Sequence, residues 1–221
     1  MQVTAIITAG GSSTRFGATN KLLEKVHSKE IILHTVEAFL NVDEIDKIIV
    51  SANKSIIDDL KNIFSNLDKL AKIEIIEGGI TRQQSVFNGL KSCNGSNYVL
   101  IHDGARPMIS VKTIEEAIKM VKEKNALTVA TKTIDTIKQV DENLKILKTI
   151  DRSNLFNTQT PQAFEYELIK DAHEKLKEHS FTDDAGMLEF LGKDVYVLEG
   201  DYKNIKITTQ GDIELAKIYL K

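Results

Sequence analysis

Tryptophan is absent from this chain, and its 221 residues include a single cysteine and only two prolines. The lone Cys93 excludes an internal disulfide and, with no cysteine–histidine cluster near it, a structural zinc site; it reads as a small apolar filler at the end of a helix. Charge of one sign is also lacking: 29 Lys and Arg stand against 32 Asp and Glu, with no long block of either. The basic face of a nucleic-acid-binding protein is therefore missing, and any nucleotide partner is a small one. Nowhere do eighteen apolar residues run together, and Met1-Gln2 leads straight into an apolar strand without the flank of a signal peptide. The expectation is a soluble, cytoplasmic protein with no membrane partner. The five histidines show no metal-ligand spacing, and no serine or cysteine sits with a histidine in a nucleophile motif, which disfavours zinc and covalent catalysis.

What is present is a rhythm. Short β-branched runs alternate with helical periodicity: Val3–Thr8 then Ile31–Leu40, Ile48–Ala52 then Ile56–Phe64, Ile73–Glu77 then Arg82–Lys91, Tyr98–His102 then Thr113–Lys124, and Leu127–Thr131. Nearly continuous apolar strands separated by amphipathic helices predict an α/β fold, with a mostly parallel sheet covered by helices on both faces. After Thr131 the rhythm breaks. Thr136–Val140 and Leu144–Leu147, joined by Asp141-Glu142-Asn143, predict an inserted β-hairpin arm within residues 133–150, too small and too charged to be core. Helices over Glu165–Lys177 and Asp184–Leu191, strands at Val195–Glu199 and Ile205–Thr208, and a closing helix from Asp212 complete the reading. Without linker, repeat or low-complexity tract, residues 1–221 form one expected domain.

In such sheets ligands sit beyond the carboxyl ends of the strands. The first strand empties into Ala9-Gly10-Gly11-Ser12-Ser13-Thr14-Arg15-Phe16-Gly17, with Lys21 just beyond. Glycines let successive backbone N–H groups turn toward one anion while Arg15 and Lys21 neutralise it, the chemistry of a polyphosphate site. A plain loop needs neither three glycines nor two cations. The order is neither a Walker A motif nor a dinucleotide fingerprint, so a different phosphate chemistry is indicated.

Two further loops emerge at the same rim. His102-Asp103-Gly104-Ala105-Arg106-Pro107 brings a carboxylate and a guanidinium, read either as a metal or hydroxyl anchor or as a capped turn with an ion pair. Gly78-Gly79 precedes a helix whose first turns carry Thr81 and Ser85, which would serve either base recognition or, respectively, as an N-cap and a helix-surface hydroxyl. Asp151-Arg152, Thr158–Gln162, Thr182–Ala185 and Lys203–Thr208 are polar clusters that periodicity leaves as loops, apart from the strand at Ile205–Thr208.

In their order along the chain these motifs resemble the 2-C-methyl-D-erythritol 4-phosphate cytidylyltransferases of the non-mevalonate isoprenoid pathway, over essentially the whole length. The matching stretches are Ala9-Gly10-Gly11, Arg15-Phe16-Gly17, Lys21, Gly78-Gly79, Arg82, Ser85-Val86, Gly89-Leu90, His102–Pro107, Asp135-Thr136, Asp151-Arg152, Thr160-Pro161-Gln162, Thr182–Ala185 and Asn204–Thr208. The resemblance implies a Rossmann-like nucleotidyltransferase fold, a homodimer joined by the arm, Mg²⁺, and transfer of CMP from CTP to a sugar-alcohol phosphate with release of pyrophosphate. It assigns the triphosphate and its transition state to Arg15, Lys21 and Lys206. It places cytosine against Ser85 and the Gly78-Gly79 backbone, with Ala9, Gly10, Gly11, Asp103 and Gly104 also on the nucleotide side. Asp103, Arg106, Thr160 and Lys206 would line the acceptor, while Thr136 and Arg152 reach in from the partner subunit.

The chain departs from the family pattern at Ser13, where glycine is more frequent, at Asn20-Lys21-Leu22 in place of Pro-Lys-Gln, and in an interval from Arg15 to Lys21 that is one residue shorter. Ile80 stands where some relatives carry an aspartate near the base, which shifts recognition of cytosine toward backbone. Two alternatives remain at the level of motifs: a ribitol or ribulose 5-phosphate cytidylyltransferase on the same fold, and a nucleotide-binding regulator without catalysis. Retention of Arg15, Lys21 and Lys206 together opposes the second, because a binder has no use for groups that act on a transition state.

Overall fold

The computed structural model describes residues 1–10 and 20–220. The chain opens with β1 (Val3–Ala9); a 3₁₀ turn at Lys21–Leu23 precedes a small ribbon of β2 (Lys25–Val26) and β3 (Lys29–Glu30). The two residues that turn this ribbon, His27 and Ser28, both have left-handed φ, 51° and 67°, as tight two-residue hairpin turns require. Then come α1 (Ile31–Leu40), β4 (Lys47–Ala52), α2 (Ile57–Phe64), β5 (Ile73–Glu77), α3 (Arg82–Lys91), β6 (Tyr98–Asp103), α4 (Val111–Lys124) and β7 (Ala126–Lys132). After the hairpin β8 (Ile137–Val140) and β9 (Ile146–Ile150), β10 (Phe156–Glu165) returns to the sheet, followed by α5 (Tyr166–Lys175), α6 (Ala185–Phe190), β11 (Tyr196–Glu199) and α7 (Gln210–Tyr219).

Seven strands form the central sheet in the order β11-β7-β10-β6-β1-β4-β5. All neighbours are parallel except β10, which runs antiparallel to both β7 and β6. Alternation along β1 divides the core: Val3, Ala5, Ile7 and Ala9 face a layer built from α1, α2, α4 and α7. Ile6 faces the opposite layer, with Val86 and Leu90 of α3, Ile169 of α5 and Leu188 of α6. Helix starts are set by local chemistry. Thr81 caps α3 by accepting from the Gln84 N–H, Ser110 does the same for α4 with Thr113, and Thr209 with Asp212 forms a capping box on α7.

Three expectations of the sequence are corrected. Thr158–Gln162 is not a loop but the middle of β10, a strand in the interior of the sheet whose ladder shifts register between Thr158 and Gln162. Its polar side chains are satisfied internally: Gln162 is fully buried, its amide nitrogen donating to Thr128 and Asp183 and its carbonyl accepting from the Asp184 and Ala185 N–H groups. Conversely, Ile205–Thr208 is not a strand. Only Ile207 is buried there, and its N–H donates to the Ala105 carbonyl as an isolated anchor. The place beside β6 that a strand at 205–208 would need is already occupied by β10. In the arm, the second strand begins at Ile146 and not Leu144, because Leu144 takes a left-handed φ of 62° in the turn.

Candidate active site

The carboxyl ends of β1, β4, β5 and β6 surround a cleft of about 700 Å³. Gly10, Lys21, Gly78, Gly79, Arg82, Ser85, Asp103 and Lys206 are among the residues that line it. Ser85 is no surface hydroxyl. It is buried in α3, and its Oγ accepts the Gly79 N–H at 3.0 Å and donates to the Thr81 carbonyl at 2.9 Å, so the glycine pair is fastened to the first turns of the helix. The fastening leaves no room for a side chain: a Cβ on Gly79 would fall 2.2 Å from Cβ of Gln84. Glycine is required here by close packing, and what results is half-buried backbone along the cleft.

Asp103, at the end of β6, organises the cations of the cleft. Its carboxylate meets Nε of Arg82 at 3.3 Å, Nε of Arg106 at 3.5 Å and Nζ of Lys206 at 2.9 Å. Burial alone would raise its pKa, but Arg82 and then Lys206 and Arg106 outweigh that and hold the carboxyl well below the usual range. Arg82 spans further, its Nη1 lying 2.7 Å from the buried Asp184, which also accepts from Nε2 of His173 at 3.0 Å. Although burial pulls the Arg82 guanidinium down, the two carboxylates more than reverse this and raise it.

Behind the cleft, a chain of neutral hydrogen bonds fixes Asp103. Nε2 of His102 lies 3.2 Å from the Arg106 carbonyl and therefore donates to it, and burial lowers this imidazole to about 4, so the ring is neutral and Nδ1 is an acceptor. The Thr160 hydroxyl, 2.9 Å from Nδ1, must donate to it, which leaves the Thr160 oxygen to accept the Asp103 N–H at 3.1 Å. Thr160 and His102 thus set the direction of the Asp103 peptide.

The residues expected to act together divide into four groups. Lys21, Lys206, Asp103, Gly10, Gly78, Gly79 and Ser85 line the cleft. Lys21 also donates from Nζ to the Ile207 carbonyl at 2.8 Å. Ala9, Gly104, Arg106 and Thr160 are not part of the cleft lining. Gly104 is pressed on β1, where a Cβ would lie 2.9 Å from the Thr8 carbonyl oxygen, and Arg106 spends Nη1 on the Asn204 carbonyl at 2.8 Å. Thr136 and Arg152 lie exposed on or beside the arm, with Arg152 donating to the Ile134 carbonyl within that element. Gly11 and Arg15 lie outside the described residues.

Reading the sequence for site residues passed over Arg82 and Asp184 as functional groups. One signal for Arg82 was available: a cation in the first turn of a helix faces the positive end of the helix dipole and needs anionic partners to be held there. Asp103 and Asp184 are those partners.

The sequence pattern of the 2-C-methyl-D-erythritol 4-phosphate cytidylyltransferase family matches residues 3–221. A protein of that name from Clostridium botulinum is 40% identical over 218 residues, covering 97% of each chain. Another from Dictyoglomus thermophilum is 42% identical over 218 residues, covering 96% of this chain and 94% of the other. The crystal structure of 4-diphosphocytidyl-2C-methyl-D-erythritol synthase from Anaerococcus prevotii superposes with a TM-score of 0.89 at 37% identity, covering 99% of this chain and 98% of that one. A cleft that gathers cations and glycine backbone, on a chain that superposes over nearly its full length, agrees with these matches, and the chain belongs to the 2-C-methyl-D-erythritol 4-phosphate cytidylyltransferase family.

Proposed function

We propose that this protein transfers CMP from CTP to 2-C-methyl-D-erythritol 4-phosphate, forming 4-diphosphocytidyl-2-C-methyl-D-erythritol and pyrophosphate. The acceptor phosphate oxygen attacks the α-phosphorus in line; an O–P bond forms, and the bond to the bridging α–β oxygen breaks, its electron pair leaving with pyrophosphate. The observation that carries this reading is the convergence of Lys21, Lys206 and Arg82 on one cleft, with Lys206 and Arg82 both paired to the ionised Asp103. Two polyanions must meet there, and the chemical task is to offset their repulsion and align them. A phosphate monoester with a second pKa near 6 already offers an anionic oxygen at pH 7, so no general base is required. The depressed pKa of Asp103 supports this, because so weak a base is ill suited to take a proton.

In this reading Arg15, Lys21 and Lys206 hold the triphosphate and the charge that develops at the α-phosphorus. Cytosine lies against Ser85 and the Gly78-Gly79 backbone, with Ala9, Gly10, Gly11, Asp103 and Gly104 completing the nucleotide side. Asp103, Arg106, Thr160 and Lys206 form the acceptor side, with Arg106 and Thr160 acting through the loops they fix. Mg²⁺ would arrive on the phosphates of CTP: among the described residues no group of three acidic, histidine or cysteine side chains could hold a metal ion, and Asp103 is committed to three cations. The described residues therefore do not form a resident metal site, and no step is assigned to the ion.

A homodimer belongs to the same reading. Exposed Ile134, Leu144, Ile146 and Leu147 give the arm an apolar surface suited to a second copy, which would carry Thr136 and Arg152 to the partner's cleft. Among the described residues no helix is long and apolar enough to cross a membrane, and we place the enzyme in the cytoplasm. Incubation with CTP, Mg²⁺ and either 2-C-methyl-D-erythritol 4-phosphate or ribitol 5-phosphate, scored for pyrophosphate, tests the assignment. Release with the first acceptor is expected; release only with the second would move the protein to the pentitol reading, and release with neither would remove the activity.

A further inference from the structure

Lys206 lies in Asp201–Thr209, a stretch with neither helix nor strand, so no ladder of backbone bonds places its ammonium 2.9 Å from Asp103. Two anchors frame it instead. On one side the buried Ile207 donates its N–H to the Ala105 carbonyl at 2.8 Å. On the other stands Asn204, 2% exposed, whose amide nitrogen donates to Oε1 of Gln159 at 3.1 Å and to the Thr160 carbonyl at 2.9 Å. The carbonyl of Asn204 accepts Nη1 of Arg106 at 2.8 Å, and its N–H reaches the Asp201 carbonyl at 3.0 Å.

Asn204 is therefore linked, through its neighbours, to both ends of the Lys206–Asp103 pair. It sits two residues before Lys206, and it holds Thr160, whose hydroxyl fixes the Asp103 peptide, and Arg106, which holds the Asp103 carboxylate. Its side chain works through the amide nitrogen alone, since Oδ1 is buried with no hydrogen-bond partner among the described residues. A residue kept only to fill space would not spend both N–H bonds on a neighbouring strand. We infer that Asn204 is a positioning residue for the transfer step, acting through Lys206; this rests on the role given to Lys206 in the proposed reaction.

The test is a double-mutant cycle on turnover. Asn204→Ala should lower kcat by about 10- to 100-fold, the scale on which an ångström of misplacement acts, with KM for CTP within about twofold of wild type. In a Lys206→Ala background the same substitution should cost less than about threefold, because the group it positions is gone. Wild-type turnover in Asn204→Ala, or a loss that multiplies fully with that of Lys206→Ala, overturns the inference and leaves the reaction untouched. Near-normal turnover in Lys206→Ala alone would instead sink the role of Lys206, and Asn204 with it. Should the alanine variant fail to fold, Asn204→Asp keeps the volume but lacks both amide donors, and the same cycle and limits apply to it.

Discussion

Replacing Arg82 with methionine keeps an unbranched stem and removes the guanidinium that bridges Asp103 and Asp184. Asp184 has a side-chain exposure of 1% and would keep only the His173 contact as a hydrogen-bonded ionisable neighbour. Stranding one partner of a buried ion pair costs about 3–5 kcal/mol, and since Arg82 itself is 28% exposed the lower end applies, about 3 kcal/mol at pH 7. The pH dependence is the sharper part. In the wild type, burial pushes the Asp184 carboxyl up, but Arg82 and His173 more than reverse this, so its pKa lies below the usual value. The stability it contributes is present above the ordinary carboxylate pKa near 3.9 and is lost as pH falls from there through the lower native value. Without Arg82 burial dominates and the native pKa rises. The carboxyl of the variant is then stabilising only when protonated, below about pH 4, and that contribution is lost as pH climbs through the raised value. The deficit of Arg82→Met should therefore shrink on acidification from pH 7 toward pH 4, by at most about 1.4 kcal/mol per unit for one proton. Urea unfolding followed by circular dichroism, at half-unit steps, measures it directly. A deficit that stays constant over this range, or none at pH 7, would refute the assigned electrostatics.

Other substitutions probe the reaction. Lys206→Ala should lower turnover by about 10²–10³ while CTP binding changes only a few-fold, as pyrophosphate release and equilibrium titration would record; a larger effect on binding than on turnover contradicts its place on the transition state. Arg106→Ala should raise KM for the acceptor with CTP affinity within a few-fold and should lower the melting temperature, because this side chain also ties Asp103 to Asn204; collapse of CTP binding would overturn the division of the cleft. Mixing inactive Arg15→Ala and Arg152→Ala proteins under subunit exchange should restore roughly a quarter of wild-type sites: with about half the dimers mixed, one of two sites in each collects neither lesion. No recovery, with exchange confirmed by mass spectrometry, would refute a site shared across the dimer.

The elements most legible in the sequence were those with a single periodicity. The helices over Ile31–Leu40 and Arg82–Lys91 occupy the expected residues because their apolar spacing has one solution on a sheet face. Strand β10 was hidden for the opposite reason. Gln159, Gln162 and the threonines look solvated, and Pro161 argues against a strand inside a sheet, yet the groups that satisfy Gln162 come from β7 and from the start of α6, which no local pattern announces. Ile205 and Ile207 alternate like a strand but find no vacant sheet position. In the cleft, each loop could be read singly as polar and glycine-rich. The bond between Arg82 and Asp184 spans 102 residues, and a single sequence carries no record of that pairing.

Asp103 gives these observations a common physical sense. Three cations gathered at one strand end would repel one another, and a single carboxylate among them lets Arg82, Arg106 and Lys206 be held in place before any phosphate arrives. With Asp184 on Arg82 and Lys21 in the cleft lining included, four cations and two carboxylates sum to a charge of about +2, an attractive site for two polyanions that the overall net charge of −3 would not suggest. Lys206 is the most exposed of the three cations, at 40% against 28% for Arg82 and 11% for Arg106, so in the proposed reaction it is the one that would exchange the carboxylate for an incoming phosphoryl oxygen while the arginines stay fixed. In the proposed reaction, burial would thus divide two tasks, the guanidiniums keeping geometry and the ammonium meeting the developing charge.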